Sequence, residues 1–295
     1  MFYVFKKMDK DYKTLVLSGN STNGIVTLGA VQYLYDKNCC ASLLNYVGTS
    51  SGAIINSLLC VGYTPLEILE YLCVTDIYKQ LGHVNITKFI LEGEGLLEFD
   101  KIKQTLVNMF ELKVGFVPTL ADLWTRFGKN FVCVTIDDTN QKRVYLSREN
   151  YPNMLVTDAV HMSACFPIIF KPFQYETNMY VDGGVGDNFP IKFSKKFIGE
   201  GVGICVVTKP GEFKNIPHVV KSFIRLLFLH NNIVAEDQDG EDNRDCFYLK
   251  GVEPSFFDFS SSPLKLISMF YQGYNELEKM CQLNKHDDDK CAHPI

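Results

Sequence analysis

The sequence predicts a layered α/β sandwich built on a largely parallel sheet, and three observations carry that expectation. Short apolar runs stop abruptly at glycine or small polar residues, as buried strands do. Segments of near-helical apolar spacing follow them, so strands and helices alternate. Of the 295 residues, 46% are hydrophobic with no composition shift along the chain, which suits one large core. A single domain over residues 1–295 is expected, its motif-bearing part at about 13–210, with loose ends up to about Asp11 and from about Lys285 onward.

Taken in order, Thr14-Leu15-Val16-Leu17, stopped by Ser18-Gly19, reads as the first strand. Ile25, Leu28, Val31 and Tyr35 then recur at helical spacing after Gly24. Asn45-Tyr46-Val47 is a second strand that runs into Gly48-Thr49-Ser50-Ser51-Gly52, and Ala53 to Val61 is an apolar helix. Thr64-Pro65-Leu66-Glu67 is a capping box with proline at the first helical position, predicting a helix to about Val74. The uncharged stretch from Asn38 to Leu66 is long enough to raise the question of a membrane span. Gly48, Asn56, Gly62 and Pro65 within it fit a buried strand, turn and helix instead, because irregular backbone facing lipid leaves polar groups unpaired.

Phe131 to Ile136 is a β-rich run ended by Asp137-Asp138-Thr139-Asn140, with Arg143 to Leu146 returning as a hairpin. Met179-Tyr180-Val181 is a strand that delivers Asp182-Gly183-Gly184. Gly203 to Val207 is a further strand, and helices are expected over His218 to Val234 and Pro263 to Cys281. The Pro217 to Val234 stretch is apolar almost all round, which favours a core helix over a membrane-contacting one.

A net charge of -5 with scattered lysines argues against nucleic acid as a partner and against strong attraction to anionic membranes. Any membrane contact must be mainly apolar. The ten cysteines include no CxxC pair and no His/Cys ligand spacing, and the first residues do not resemble a signal peptide. Reduced thiols in a cytoplasmic setting, with peripheral contact at membranes, are expected; Cys39-Cys40 reads as a thiol pair without catalytic work. No cofactor is expected, and no metal. Asp237-Gln238-Asp239-Gly240 hints at calcium, but its glycine is misplaced for an EF-hand and no glutamate closes the loop, so Glu236 to Asp245 reads as a solvated loop.

Gly48-Thr49-Ser50-Ser51-Gly52 matches the G-x-S-x-G nucleophile elbow, in which a serine sits on a tight strand-to-helix turn. A helix starting near Ser51 aims its positive end at an anion forming beside Ser50. A serine needs a base, usually histidine. None of the six histidines lies in an obvious loop after a strand, and His161 falls in a helix over Thr157 to Ala164. Asp182 ends an apolar strand and enters Gly183-Gly184, so its carboxylate can stand at the sheet edge that carries Ser50. The same Asp-Gly pair also reads as a simple turn. Oxyanion donors must come from Ser18-Gly19-Asn20-Ser21-Thr22-Asn23-Gly24, between the first strand and its helix.

Leu15 to Gly19 with Gly24, Leu28-Gly29-Ala30-Val31, and Gly48 to Ala53 together resemble the opening of a patatin-like phospholipase. Ala159 to Pro167 and Tyr180 to Pro190 are similar to two further segments of that family, in the right order. The resemblance spans roughly Thr14 to Pro190; the last third fits only by its helix and strand pattern. It implies a three-layer α/β/α sandwich with a mostly parallel central sheet and a Ser–Asp dyad, with Ser50 as nucleophile and Asp182 as base. The implied activity is acyl-ester hydrolysis of the phospholipase A or lysophospholipase type. The implied partner is a phospholipid or other acyl-ester lipid at a membrane or micelle surface; no protein partner is indicated.

One segment departs from the family. Its oxyanion loop usually runs through three glycines, a variable residue, then a basic residue and glycine. Here Gly19 and Gly24 match, but Asn20, Ser21 and Asn23 do not. A positive φ costs a serine about 1–2 kcal/mol, and a misaimed donor costs roughly 10²–10³ in rate. The alternatives kept open are a weak or inactive lipid-binding protein of the same fold, and acyl transfer to an acceptor other than water.

Overall fold

Among the described residues the six expected strands and two more assemble into one eight-stranded sheet. This computed structural model describes residues 10–75, 95–207, 222, 225–226, 245–252 and 262–291, with side chains as far as 282. In chain order the strands are β1 (Thr14–Leu17), β2 (Asn45–Thr49), β3 (Asn130–Asp137), β4 (Lys142–Ser147), β5 (Phe173–Tyr175), β6 (Asn178–Asp182), β7 (Gly201–Val207) and β8 (Asp245–Lys250). The helices are α1 (Gly24–Asp36), α2 (Ser51–Cys60), α3 (Pro65–Thr75), α4 (Asp100–Val114), α5 (Leu120–Phe127), α6 (Val156–Ala164), α7 (Ile191–Ser194) and α8 (Pro263–Cys291).

The sheet order is β5-β6-β3-β2-β1-β7-β8, with β4 also on β3. From β3 to β8 the pairings are parallel; β4, β5 and β6 pair antiparallel. The central β1 is buried at every position, which is why it reads as an unbroken apolar run without alternation. One face, with Leu15, Leu17, Phe131 and Ile204, packs into the main core under α1, α2, α6 and α8. The other, with Val16, Val47, Val132 and Cys205, packs on Phe189, Ile191, Phe193 and Phe197 around α7. The sheet is thus flanked by helices on both faces.

Register explains how distant residues converge. β2 pairs with β3 from Asn130 to Val134, and β6 pairs with β3 from Thr135 to Asp137. Because β4 pairs with β3 across both stretches, it must occupy the opposite edge, leaving β2 and β6 end to end on one edge. β2 runs parallel to β3 and β6 antiparallel, so their C-terminal ends face each other where Thr49 pairs with Val134 and Asp182 with Thr135. Ser50 and Asp182 are delivered to that junction.

α1 is buried all round because it lies between the sheet and α8. The two helices touch backbone to backbone: a Cβ on Gly29 would strike the Phe270 carbonyl, and one on Gly273 the Val26 carbonyl. Thr64 and Glu67 close their capping box ahead of α3. Among the described residues no single helix is long and apolar enough to cross a membrane, and the uncharged stretch folds as β2, α2 and the start of α3.

Several expectations change. The C-terminal segment is helical to Cys291 rather than loose from Lys285, since neither glycine nor proline falls between Lys285 and Pro294. Lys10 and Asp11 are tied down, by ion pairs to Glu200 and Asp245 and by a hydrogen bond from the Ser42 N–H. α4, α5, α7, β5 and β8 carry no such expectation: α4 intersperses its apolar residues with charged and amide ones and buries only Leu106, Met109 and Phe110, α7 and β5 are very short, and β8 directly follows the acidic stretch. Almost all of the helix expected over His218 to Val234, and the acidic stretch before Asp245, lie outside the described residues.

Candidate active site

At the end of β2 the chain turns through Ser50 at φ 53° and ψ -122°, a conformation that costs a non-glycine residue about 1–3 kcal/mol. Neighbours hold it there. The Ser50 N–H donates to Ser163 Oγ at 3.0 Å, and the Ser50 carbonyl accepts from the Ile54 N–H at 3.1 Å. Gly52 lets the turn pass: a Cβ there would lie 2.5 Å from the Leu17 carbonyl oxygen of β1. Gly48 is packed nearly as closely, since a Cβ there would lie 2.8 Å from the Ala53 nitrogen. Thr49 donates its hydroxyl to the Asp187 carbonyl at 2.8 Å, tying the elbow to the loop after β6.

The Ser50 hydroxyl donates to Asp182 Oδ2 at 2.7 Å. The Gly184 N–H caps the other carboxylate oxygen at 2.6 Å, and the Asp182 N–H donates to the Cys165 carbonyl. Gly183 passes directly beneath the Val134 carbonyl. Burial pushes the Asp182 carboxyl up to about 7, against the hydrogen bonds from Ser50 and Gly184, which pull it down. A carboxylate so tuned is a usable base near neutrality. Among residues with described side chains His161 is the only histidine. It stacks 4.0 Å from Phe99, and burial, with Lys103, drops its pKa to about 3, so it stays neutral in the core.

The loop from Gly19 to Gly24 borders the same cavity. Gly19 is clamped on both sides by Asn188: its N–H donates to the Asn188 carbonyl at 3.1 Å, and its carbonyl accepts from Asn188 Nδ2 at 2.9 Å. The Asn20 N–H donates to Ser51 Oγ at 2.9 Å. Asn20 turns its side chain inward onto Ser18 Oγ, and with the amide oriented to suit its neighbours it donates to the Val206 and Gly19 carbonyls. The positive φ falls on Ser21, at 51°. Asn23 does not line the cavity; it is buried and pairs through its amide with both backbone groups of Val252. Its place in the loop is thus that of a strut. Ser21, Thr22 and Gly24 line the cavity with Ser50, Ser51, Asp182 and Gly184. Ser51 also starts α2, whose dipole favours negative charge there.

The cavity holds about 190 Å³ and is otherwise lined mainly by Leu, Ile, Phe and Met side chains. Sequence reasoning assigned no role to Ser163 or Asn188, although both lie in the quoted family segments. It also missed Asp187, a buried carboxylate that accepts from Tyr145 Oη at 2.7 Å and lies 3.5 Å from Arg143. No local pattern marks these residues, because each acts on a segment far away in sequence.

The sequence profile of patatin-like phospholipases matches residues 15–193. A probable lipid hydrolase of Invertebrate iridescent virus 6 is 35% identical over 201 residues, covering 66% of this chain and 67% of the viral protein. The uncharacterized protein YqhO of Bacillus subtilis is 28% identical over 245 residues, covering 70% of this chain and 76% of its own. VipD from Legionella pneumophila shares the fold, with a TM-score of 0.55 at 16% identity over 95% of this chain and 70% of VipD.

Proposed function

This chain belongs to the patatin-like phospholipase family, and from that premise we propose that it hydrolyses acyl esters of lipids through Ser50 and Asp182. The 2.7 Å hydrogen bond between them, at the mouth of an apolar cavity, carries the reading. Asp182 accepts the Ser50 proton as Oγ attacks the acyl carbonyl carbon. Charge developing on the carbonyl oxygen faces the start of α2 and the backbone of the Ser21–Thr22 segment. The intermediate collapses, the ester C–O bond breaks, and the alcohol leaves with the proton held by Asp182. Water then attacks the acyl-serine, giving its proton to Asp182, which returns it to Ser50 as the fatty acid departs. The substrate is a phospholipid or related acyl-ester lipid presented at a membrane or micelle surface.

The test is fatty acid release by the wild type and by Ser50→Ala; equal rates would end the proposal. A second reading, lipid binding with little turnover, draws on the engaged N–H groups of Gly19 and Asn20 and the positive φ of Ser21. Covalent labelling of Ser50 by a fluorophosphonate separates the two, since only a competent nucleophile reacts.

A further inference from the structure

The cavity beside Ser50 continues along one stripe of α2. Ser51, Ile54, Ile55 and Leu58 all line it, at the spacing of neighbours on a helix face. At 1.5 Å of rise per residue the stripe from Ser51 to Leu58 is about 10 Å long. Facing it stand Leu28 of α1, Ile68 and Leu72 of α3, and Leu106 and Met109 of α4. Among the described residues the far end is closed: Leu28, Leu58, Ile68, Leu106 and Met109 are each at most 3% exposed, with Leu72 half-buried beside them. Ser50, Ile54 and Thr105, toward the mouth, are half-buried.

Volume and length can each be converted to carbons. An apolar protein cavity of about 150 Å³ takes benzene and its six carbons, so about 190 Å³ has room for roughly eight. An extended chain advances about 1.3 Å per carbon at a C–C bond near 1.5 Å, so a length of about 10 Å also has room for roughly eight.

We propose that this cavity is a ruler for the acyl chain, enclosing roughly the first eight carbons from the ester carbonyl and so selecting medium-chain acyl esters. The inference rests on the acyl-hydrolase reading and deepens it by naming the acyl class. Each methylene taken into the cavity leaves water and adds about fourfold in affinity; carbons beyond the blind end add nothing.

Two measurements test it. Calorimetric titration of the Ser50→Ala protein with straight-chain fatty acids from butyrate to dodecanoate, each below its aggregation concentration, reads the ruler without catalysis. Hydrolysis of the matching para-nitrophenyl esters by the wild type reads the reaction. The expected result is a climb of about fourfold per methylene to octanoate and a plateau beyond it, in affinity and in kcat/KM alike. Met109→Phe fills the blind end and moves the break toward hexanoate; Met109→Ala moves it toward decanoate. Leu58→Phe, from the facing helix, repeats the first shift should Met109→Phe not fold. A steady climb through dodecanoate, or a break that stays put in these variants, overturns the ruler. A break in binding without Ser50-dependent hydrolysis of any ester supports the ruler and overturns the hydrolase reading, so the two fail separately.

Discussion

Ser50 and Asp182 meet through their side chains, whereas the loop from Gly19 to Gly24 is held at Gly19 and Asn20 through its backbone. The difference sets what each region can tolerate. A hydroxyl and a carboxylate make the first contact, so that side depends on two particular side chains. A backbone N–H belongs to any residue except proline, so the loop can exchange glycines for Asn20 and Ser21 if the fold absorbs the strain. It does so through clamps: Asn188 on Gly19, Ser51 on Asn20, and Val252 on Asn23. Chemistry constrains the dyad; packing constrains the loop.

The largest effect that would break this contrast lies on the dyad side. Ser50→Ala should lower fatty acid release by about 10⁴-fold or more, and Asp182→Asn by about 10²–10⁴-fold, in initial-rate assays. Losses under tenfold would mean that the side-chain pair is not the reacting centre. In the proposed mechanism Asp182 works ionised, so kcat/KM should rise about tenfold per pH unit below about 7 and flatten above it.

The same burial has a stability cost. The folded carboxyl lies near 7, above its ordinary 3.8, so the native state holds its proton more tightly than the unfolded chain. The resulting stability is fully present below about pH 3.8 and is lost as pH rises through about 7. Asp182→Asn should therefore be more stable than the wild type at about pH 8, by up to about 4 kcal/mol, with the gain vanishing near pH 4. Denaturant unfolding at both pH values checks this; a gain independent of pH would contradict it.

Smaller effects sharpen the loop side. Asn23→Lys puts the family's charge where a buried amide now pairs with Val252, and should cost about 3 kcal/mol in unfolding experiments. Ser51→Ala should lower kcat by about tenfold with KM little changed, through a loosened Asn20. A rise in kcat would mean instead that Ser51 withholds the Asn20 N–H from the oxyanion. Ser21→Gly relieves the positive φ and should stabilise by about 1 kcal/mol or less, the strain removed being offset by glycine's added chain entropy.

What the sequence determined by itself was local. Apolar runs ended by Ser18-Gly19 and Asp182-Gly183 mark β1 and β6, and the Thr64–Glu67 box marks the start of α3, because strand burial, turn chemistry and capping act within a few residues. Gly48 to Gly52 likewise announces a turn on its own. Tertiary structure alone decided that β2 and β6 meet end to end on β3, that the positive φ falls on Ser21 rather than Asn20, and that Asn188 clasps Gly19 from 169 positions away. Those outcomes depend on register and on contacts between segments remote in sequence, and no short pattern encodes the distance between them.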